Sequence, residues 1–192
     1  MKILRYMALL VAALVFGSSR VEGAISTLAS GTFNGHEYKL ISDSVYPNIY
    51  WPDANISVGS LGPGWYLATI TSQEENNFVS GLIAPLGHAW LGGYQNPLNT
   101  TVAALNWTWV TGETFGYTNW ALGEPNDYNA AQTGVYEQYL AMLPAGEWND
   151  ASGPVNLYIA ERSTVVPLPS TLLLLGSGLA GLAGIGRRRL KK

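Results

Sequence analysis

The 192-residue sequence has no cysteine, only two histidines, and charged side chains at just 12% of its positions. The missing cysteine excludes disulfides, thiolate metal sites and a cysteine nucleophile. Basic residues are nearly absent from the interior. Between residues 24 and 164 only Lys39 and Arg162 carry positive charge, against twelve Asp and Glu, a net of −10. A surface that acidic repels phosphate backbones, so nucleic acid is excluded and cations are the natural counterpart. No internal repeat occurs, and the length leaves room for one domain of about 140 residues plus targeting segments.

The positive charge has moved to the ends. Lys2 and Arg5 precede an apolar run from Met7 to Phe16, and Val21 and Gly23 stand at suitable −3 and −1 cleavage positions. This is the grammar of a signal peptide over residues 1–23, with an apolar run too short to span a bilayer. At the other end Val166-Pro167-Leu168-Pro169-Ser170-Thr171 precedes Leu172–Gly186, which carries no charge, and Arg187-Arg188-Arg189-Leu190-Lys191-Lys192 closes the chain. The basic tail predicts a transmembrane helix with its C-terminus inside and the acidic domain outside. Proline-flanked Ser/Thr, apolar helix and arginine cluster, in that order, resemble the PEP-CTERM sorting signal of Gram-negative bacteria. The usual Pro-Glu-Pro is Pro167-Leu168-Pro169 here. The resemblance implies recognition by an exosortase, removal of the tail, and release or attachment outside the cell. The linker is placed at 163–171 and the sorting helix with its tail at 172–192.

The interior reads as helices first and strands later. Phe33–Ser42 alternates like a strand, and Trp51–Ser60 reads as a short helix broken by Gly59, Gly62, Pro63 and Gly64. Tyr66–Ile70 is a short apolar strand. Ser72-Gln73-Glu74-Glu75 forms a capping box, followed by a helical stripe of Phe78, Val79, Leu82 and Ile83 that Pro85 ends. Short strands are expected at Ala89–Gly92, Trp107–Val110, Tyr139–Leu143, Glu147-Trp148 and Leu157–Ala160, with a turn at Thr111–Glu113 and a long loop over Thr118–Gly134. That order predicts an α+β fold.

Six segments carry a second resemblance. Tyr66-Leu67-Ala68-Thr69-Ile70, Glu74-Glu75-Asn76 with Phe78, Trp90-Leu91-Gly92-Gly93, Asn119-Trp120, Glu124-Pro125-Asn126 and Trp148-Asn149-Asp150 follow one another at compatible spacings. Together they resemble the C-type lectin domain, over residues 33–162. The resemblance implies two helices, antiparallel sheets and a long looped-out region. It also places Tyr139, Gly153 and Ala160 where the family carries paired cysteines. The core must therefore hold without disulfides, at a cost on the order of a few kcal/mol.

Glu124, Asn126, Glu137, Asn149 and Asp150 supply three carboxylates and two amide oxygens, with no nitrogen or sulfur ligand. A hard cation wants 6–8 oxygens, so this set suits calcium or manganese and not zinc. A cis Glu124–Pro125 bond would turn the two flanking side chains to one side. A calcium ion with two open positions takes two vicinal sugar hydroxyls, each of which donates to a carboxylate and accepts from an amide. By resemblance the five residues are the principal-site ligands for calcium and sugar, and the Glu-Pro-Asn order implies mannose- or glucose-type hydroxyls. Asp127 is either loop or an auxiliary calcium ligand, and Glu-Pro-Asn could also be a plain turn. Ten residues separate Asn126 from Glu137. Trp148 reads as core, while His36 and His88 are isolated and need no role.

The leading function is an exported, calcium-dependent carbohydrate-binding protein at the cell surface or in the extracellular matrix. Its partners are a glycan or extracellular polysaccharide, an exosortase-type enzyme and, before processing, the membrane. The alternative is a structural or protein-binding module on the same fold. A glycosidase with paired carboxylates is disfavoured, because the acids have metal-ligand company and no cleft signature is visible.

Overall fold

A computed structural model describes residues 25–43, 48–84, 86–128 and 130–164. The expected signal peptide and sorting helix lie outside the described residues. Among the described residues no helix is long and apolar enough to cross a membrane.

The described strands are β1 (Ile25–Phe33), β2 (His36–Asp43), β3 (Tyr66–Leu67), β4 (Ala89–Gln95), β5 (Trp107–Trp109), β6 (Tyr139–Met142), β7 (Trp148–Ala151) and β8 (Leu157–Ser163). They join in one sheet of order β1-β2-β8-β4-β6-β7, with β3 on β8 and β5 on β4. All pairings are antiparallel except β4 with β8, where Ala89 lies opposite Leu157 and Trp90 opposite Tyr158. The helices are α1 (Trp51–Ser57), extended by a 3₁₀ turn over Val58–Leu61, α2 (Gln73–Ile83), and the short α3 (Ala130–Thr133). Strand β1 precedes the stretch that resembles the lectin domain. It pairs along the whole of β2, from Ile25 opposite Asp43 to Phe33 opposite His36, so the ordered sheet begins earlier than residue 33.

Strand periodicity explains why the sheet has two cores. Successive side chains point to opposite faces. Leu40, Leu91, Leu140, Met142, Leu157 and Ile159 pack on one face with Val79 and Ile83 of α2. Their neighbours Ile41, Trp90, Ala141, Tyr158 and Ala160 pack on the other with Trp51 and Ala54 of α1. Strand β8 is covered on both sides, which is why Leu157–Ala160 reads as a continuous apolar run rather than an alternating one.

Helix α2 starts as the sequence predicts, with Ser72 Oγ accepting from the Glu75 N–H at 3.2 Å. The second half of the capping box is displaced by one residue. Glu75 Oε2 accepts from the backbone N–H and the hydroxyl of Thr71, at 2.7 and 3.0 Å. The helix ends at Ile83, and Ala84 before Pro85 is extended, as a residue preceding proline favours. Between β3 and β4 the backbones approach closely: the Gly92 N–H donates to the Ala68 carbonyl at 2.7 Å. A Cβ on Gly92 would lie 2.4 Å from the Leu67 carbonyl oxygen, which explains the glycine in Trp90-Leu91-Gly92-Gly93.

Aromatic packing stands at Tyr139, one of the three positions where the resemblance implies cysteines. Tyr139 stacks on Trp51, with ring centroids 4.8 Å apart and an interplanar angle of 14°. The Trp51 indole of this pair and the neighbouring Trp90 indole bond to distant backbone: Trp51 Nε1 donates to the Leu91 carbonyl at 2.7 Å and Trp90 Nε1 to the Ile49 carbonyl at 2.8 Å. These contacts join α1 to the sheet, the kind of long-range connection a disulfide supplies.

Candidate functional site

Strand β7 forms the floor of the site. Segment 119–121 adds to its edge: the Trp148 N–H donates to the Asn119 carbonyl and the Ala121 N–H to the Trp148 carbonyl, both at 2.8 Å. A turn follows, closed by the Glu124 N–H on the Ala121 carbonyl at 2.9 Å with Gly123 at φ 92°. The Glu124–Pro125 peptide is cis. The chain then passes over Asp150, which is fully buried.

Asp150 is the hub. Its carboxylate accepts from the Asn126 N–H at 3.0 and 3.1 Å and from the Asp127 N–H at 2.9 Å. Glu137 closes the ten-residue segment 127–136 by a two-point latch. Its Oε2 accepts from the Tyr128 N–H at 2.9 Å, and its own N–H donates to Asp127 Oδ1 at 2.8 Å. The short helix α3, which the sequence reading leaves as loop, takes up chain length between these contacts. Asn149 Nδ2 donates to the Asp150 carbonyl. The structure therefore brings Glu124, Asn126, Asp127, Glu137, Asn149 and Asp150 into one neighbourhood. Trp148 is fully buried core, as the sequence predicts.

The electrostatics reflect crowding. Glu124 is pushed from its usual 4.5 up to about 7, first by burial, then by a hydrogen bond to Asp150 and that residue's charge, then by Glu137. Burial also raises Asp127 and Glu137 against opposing backbone hydrogen bonds, with Asp150 adding repulsion to both. Glu124 Oε2 is buried without a hydrogen-bond partner. An orphaned carboxylate oxygen within an oxygen-only donor set fits a hard cation. Among the described residues no three His, Asp or Glu side chains are arranged to hold a metal ion as they stand. The Asp150 oxygens face backbone N–H groups instead, so the cluster is closed on itself.

The sign of the pH dependence follows. A carboxyl whose pKa is raised on folding stabilises the protein below its unfolded value and loses that contribution as pH rises through its folded value. The metal-free protein is expected to lose stability between about pH 4.5 and about 7, the interval set by Glu124. Thermal melts in chelator at pH 5 and 7.5 check this. The midpoint should be lower at 7.5, and Glu124→Gln should flatten the trend. A wild-type midpoint that holds or rises across the interval contradicts the crowding described here.

A second polar cluster escaped the sequence reading. Glu161 on β8 is almost completely buried. It accepts from Tyr66 Oη at 2.9 Å and the Thr69 N–H at 2.9 Å, and lies 2.5 Å from His36 Nδ1. Glu75 accepts from Tyr38 Oη at 2.5 Å. His36, Tyr38, Thr69, Glu75 and Glu161, with Glu113, line a cavity of about 150 Å³. His36 is thus not isolated, which corrects the sequence expectation. No local signal marked the cluster, because its members come from β2, β3, α2 and β8.

A Glu-Pro-Asn loop closed over a Trp-Asn-Asp strand, on a sheet flanked by two helices, is the architecture of a C-type lectin domain. A C-type lectin of Micrurus corallinus is 30% identical over 121 residues, covering 61% of this chain and 70% of that protein. Lectin BRA-3 of Megabalanus rosa is 31% identical over 118 residues, 62% of this chain and 65% of its own. The chain belongs to the C-type lectin family. It spans only about 65% of the Megabalanus lectin and 57% of mouse lithostathine-1, another relative. The fold also matches the cow C-type carbohydrate-recognition domain of CD23, crystallised in the presence of a GlcNAc2Man3 oligosaccharide. That match has a TM-score of 0.58 at 24% identity, covering 73% of this chain and 98% of that one. At the C-terminus, residues 165–189 match the family model of the PEP-CTERM protein-sorting motif.

Proposed function

We propose that the protein is an exported, calcium-dependent carbohydrate-binding protein that reads mannose- or glucose-type hydroxyls at the cell surface or in the extracellular matrix. One observation carries the reading: Asp150 gathers Glu124, Asn126, Asp127 and Glu137 into a single acidic cluster. Glu124, Asn126, Glu137, Asn149 and Asp150 would hold the ion, with Asp127 auxiliary, and bound calcium would supply open coordination positions for two hydroxyls. Glu124 and Glu137 accept the hydroxyl protons; Asn126 and Asn149 donate from their amides. The sorting motif supports export and processing by an exosortase-type enzyme, with the membrane as a transient anchor. The domain limits of 33–162 are extended to include β1, and residues 1–23 and 172–192 are assigned to the signal peptide and sorting tail.

A glycan array with calcium and with chelator tests the reading, and thermal stability tests the ion separately. A ligand bound only by the folded state at a hundredfold excess over Kd stabilises by about 2.7 kcal/mol. For a domain of this size that raises the melting midpoint by roughly 5–10 °C. An unchanged midpoint in millimolar calcium would show that the site takes no ion. A second reading, a structural or protein-binding module, is favoured by the Asp150 oxygens already being satisfied by backbone N–H groups. No binding of any array glycan, in calcium or in chelator, would select it.

A further inference from the structure

A cavity of about 520 Å³ opens between helix α1 and strands β4 and β6, within the size range of small-ligand sites. Trp51, Asn55, Tyr94 and Tyr139 line it, with Ile56 and Leu98 among its apolar walls. Its aromatic rings brace one another: Trp51 stacks on Tyr139 and meets Tyr94 at 5.5 Å with a tilt of 40°. The cavity is separate from the acidic cluster. Tyr94 and Tyr139 pack with the α1 core, whereas Asp150 stands opposite Leu140, which packs on the α2 face. Cross-strand partners share a face, so the sheet lies between the cavity and the Asp150 carboxylate. Three properties coincide in the lining. None of its residues is charged, in a chain whose interior carries −10. Its walls are aromatic and aliphatic. The phenol hydroxyls of Tyr94 and Tyr139 and the Asn55 amide take no hydrogen bond from the described residues.

We propose that this cavity is a second, calcium-independent binding site for a neutral glucose-type oligosaccharide. The C–H faces of its rings lie against the aromatic walls, and its hydroxyls meet Tyr94, Tyr139 and Asn55. The lining selects this chemistry by exclusion. With no carboxylate in it the cavity holds no ion, and with no charge of either sign it gives an ionic ligand nothing to pair with. A pure hydrocarbon would desolvate the phenols and the amide without replacing their hydrogen bonds. A proline-rich peptide brings carbonyl acceptors but few donors, and leaves the Asn55 carbonyl idle. A pyranose supplies donors and acceptors around a ring whose faces are apolar. Glucose turns every hydroxyl outward, so both faces are C–H, whereas mannose and galactose each turn one hydroxyl onto a face. The inference stands apart from the loop site, where vicinal hydroxyls would be read through an ion.

The test titrates the full chain, in chelator, with cellotetraose and with β-1,4-mannotetraose, which differs only in the configuration at each C2. Cellotetraose should bind. Mannotetraose should bind at least ~tenfold more weakly, because a hydroxyl turned onto an aromatic wall is buried without a partner. A variant carrying Asn55→Ala and Tyr94→Phe should lose at least ~tenfold in cellotetraose affinity, having lost two hydrogen-bonding groups. It should keep the wild-type fold, since Asn55 is exposed and phenylalanine keeps the ring contact with Trp51. The chain termini are common to both proteins and cancel in their comparison. No cellotetraose binding in chelator would overturn the inference and leave the loop site, which is measured in calcium, untouched. Equal affinity for the two tetraoses would also overturn it, and so would cellotetraose affinity unchanged by the double substitution. A decaproline peptide that binds more tightly than cellotetraose and weakens in the same variant would overturn it in favour of a proline-rich partner. Cellotetraose binding in chelator without any calcium-induced melting shift would support the cavity while removing the loop reading.

Discussion

Glu124→Gln combined with Asn126→Asp should leave calcium bound and move sugar preference from mannose and glucose toward galactose-type sugars. A hydroxyl on the ion must give a proton to a carboxylate and receive one from an amide, so the two side chains fix a donor–acceptor frame. The exchange preserves size, total charge and the number of oxygens but reverses the frame. It should also preserve the loop, because Asn126 is held to Asp150 through its backbone N–H, which the substitution retains. The loss for the original sugar is about 1–3 kcal/mol, the cost of mispaired polar groups. Calcium titration and competition by free monosaccharides on wild type and double variant measure it. Unchanged sugar preference would mean that Glu124-Pro125-Asn126 is a turn and not a selector.

Trp148→Ala should have the largest effect on stability. The indole is fully buried and makes edge contacts with Trp109, Phe115, Tyr117 and Trp120 at centroid distances of 5.5–6.2 Å. Its Nε1 donates to Asn76 Oδ1 at 2.8 Å, joining β7 to α2. Removing such a side chain costs about 3–5 kcal/mol. The amide of Asn76 is further left with an unpaired acceptor in the core. Trp148→Phe keeps one ring in the cluster but loses the hydrogen bond and the volume of the second ring, so it should cost about 2–3 kcal/mol, less than the alanine variant. Urea melts of the three proteins separate the terms. An alanine variant within about 1 kcal/mol of wild type would show that the aromatic cluster does not hold the loop's floor.

Much of this fold is written locally. Ser72 and Glu75 mark the start of α2, Pro85 its end, and the stripe of Val79 and Ile83 its buried face. The candidate site residues are legible because Glu124–Asn126 and Trp148–Asp150 are contiguous motifs. What stays hidden depends on contacts between distant segments. The Glu137 latch is set by Asp127 and Tyr128 across the segment it closes, and no sequence spacing announces it. The parallel join of β4 and β8 and the addition of β1 to β2 are tertiary choices of the same kind. The backbone N–H groups that occupy Asp150 are also invisible to a reading of side-chain types, although they decide how the cluster is closed.

The placement of β1 and β8 on either side of β2 has a mechanical consequence. Ile25 lies at the Asp43 end of β2, while Ser163 lies at the His36 end. A load drawn between those two points runs along the strands rather than across them. It must shear both rows of hydrogen bonds together instead of opening them one pair at a time. The sheet that carries no disulfide is thereby arranged to resist tension along its own chain.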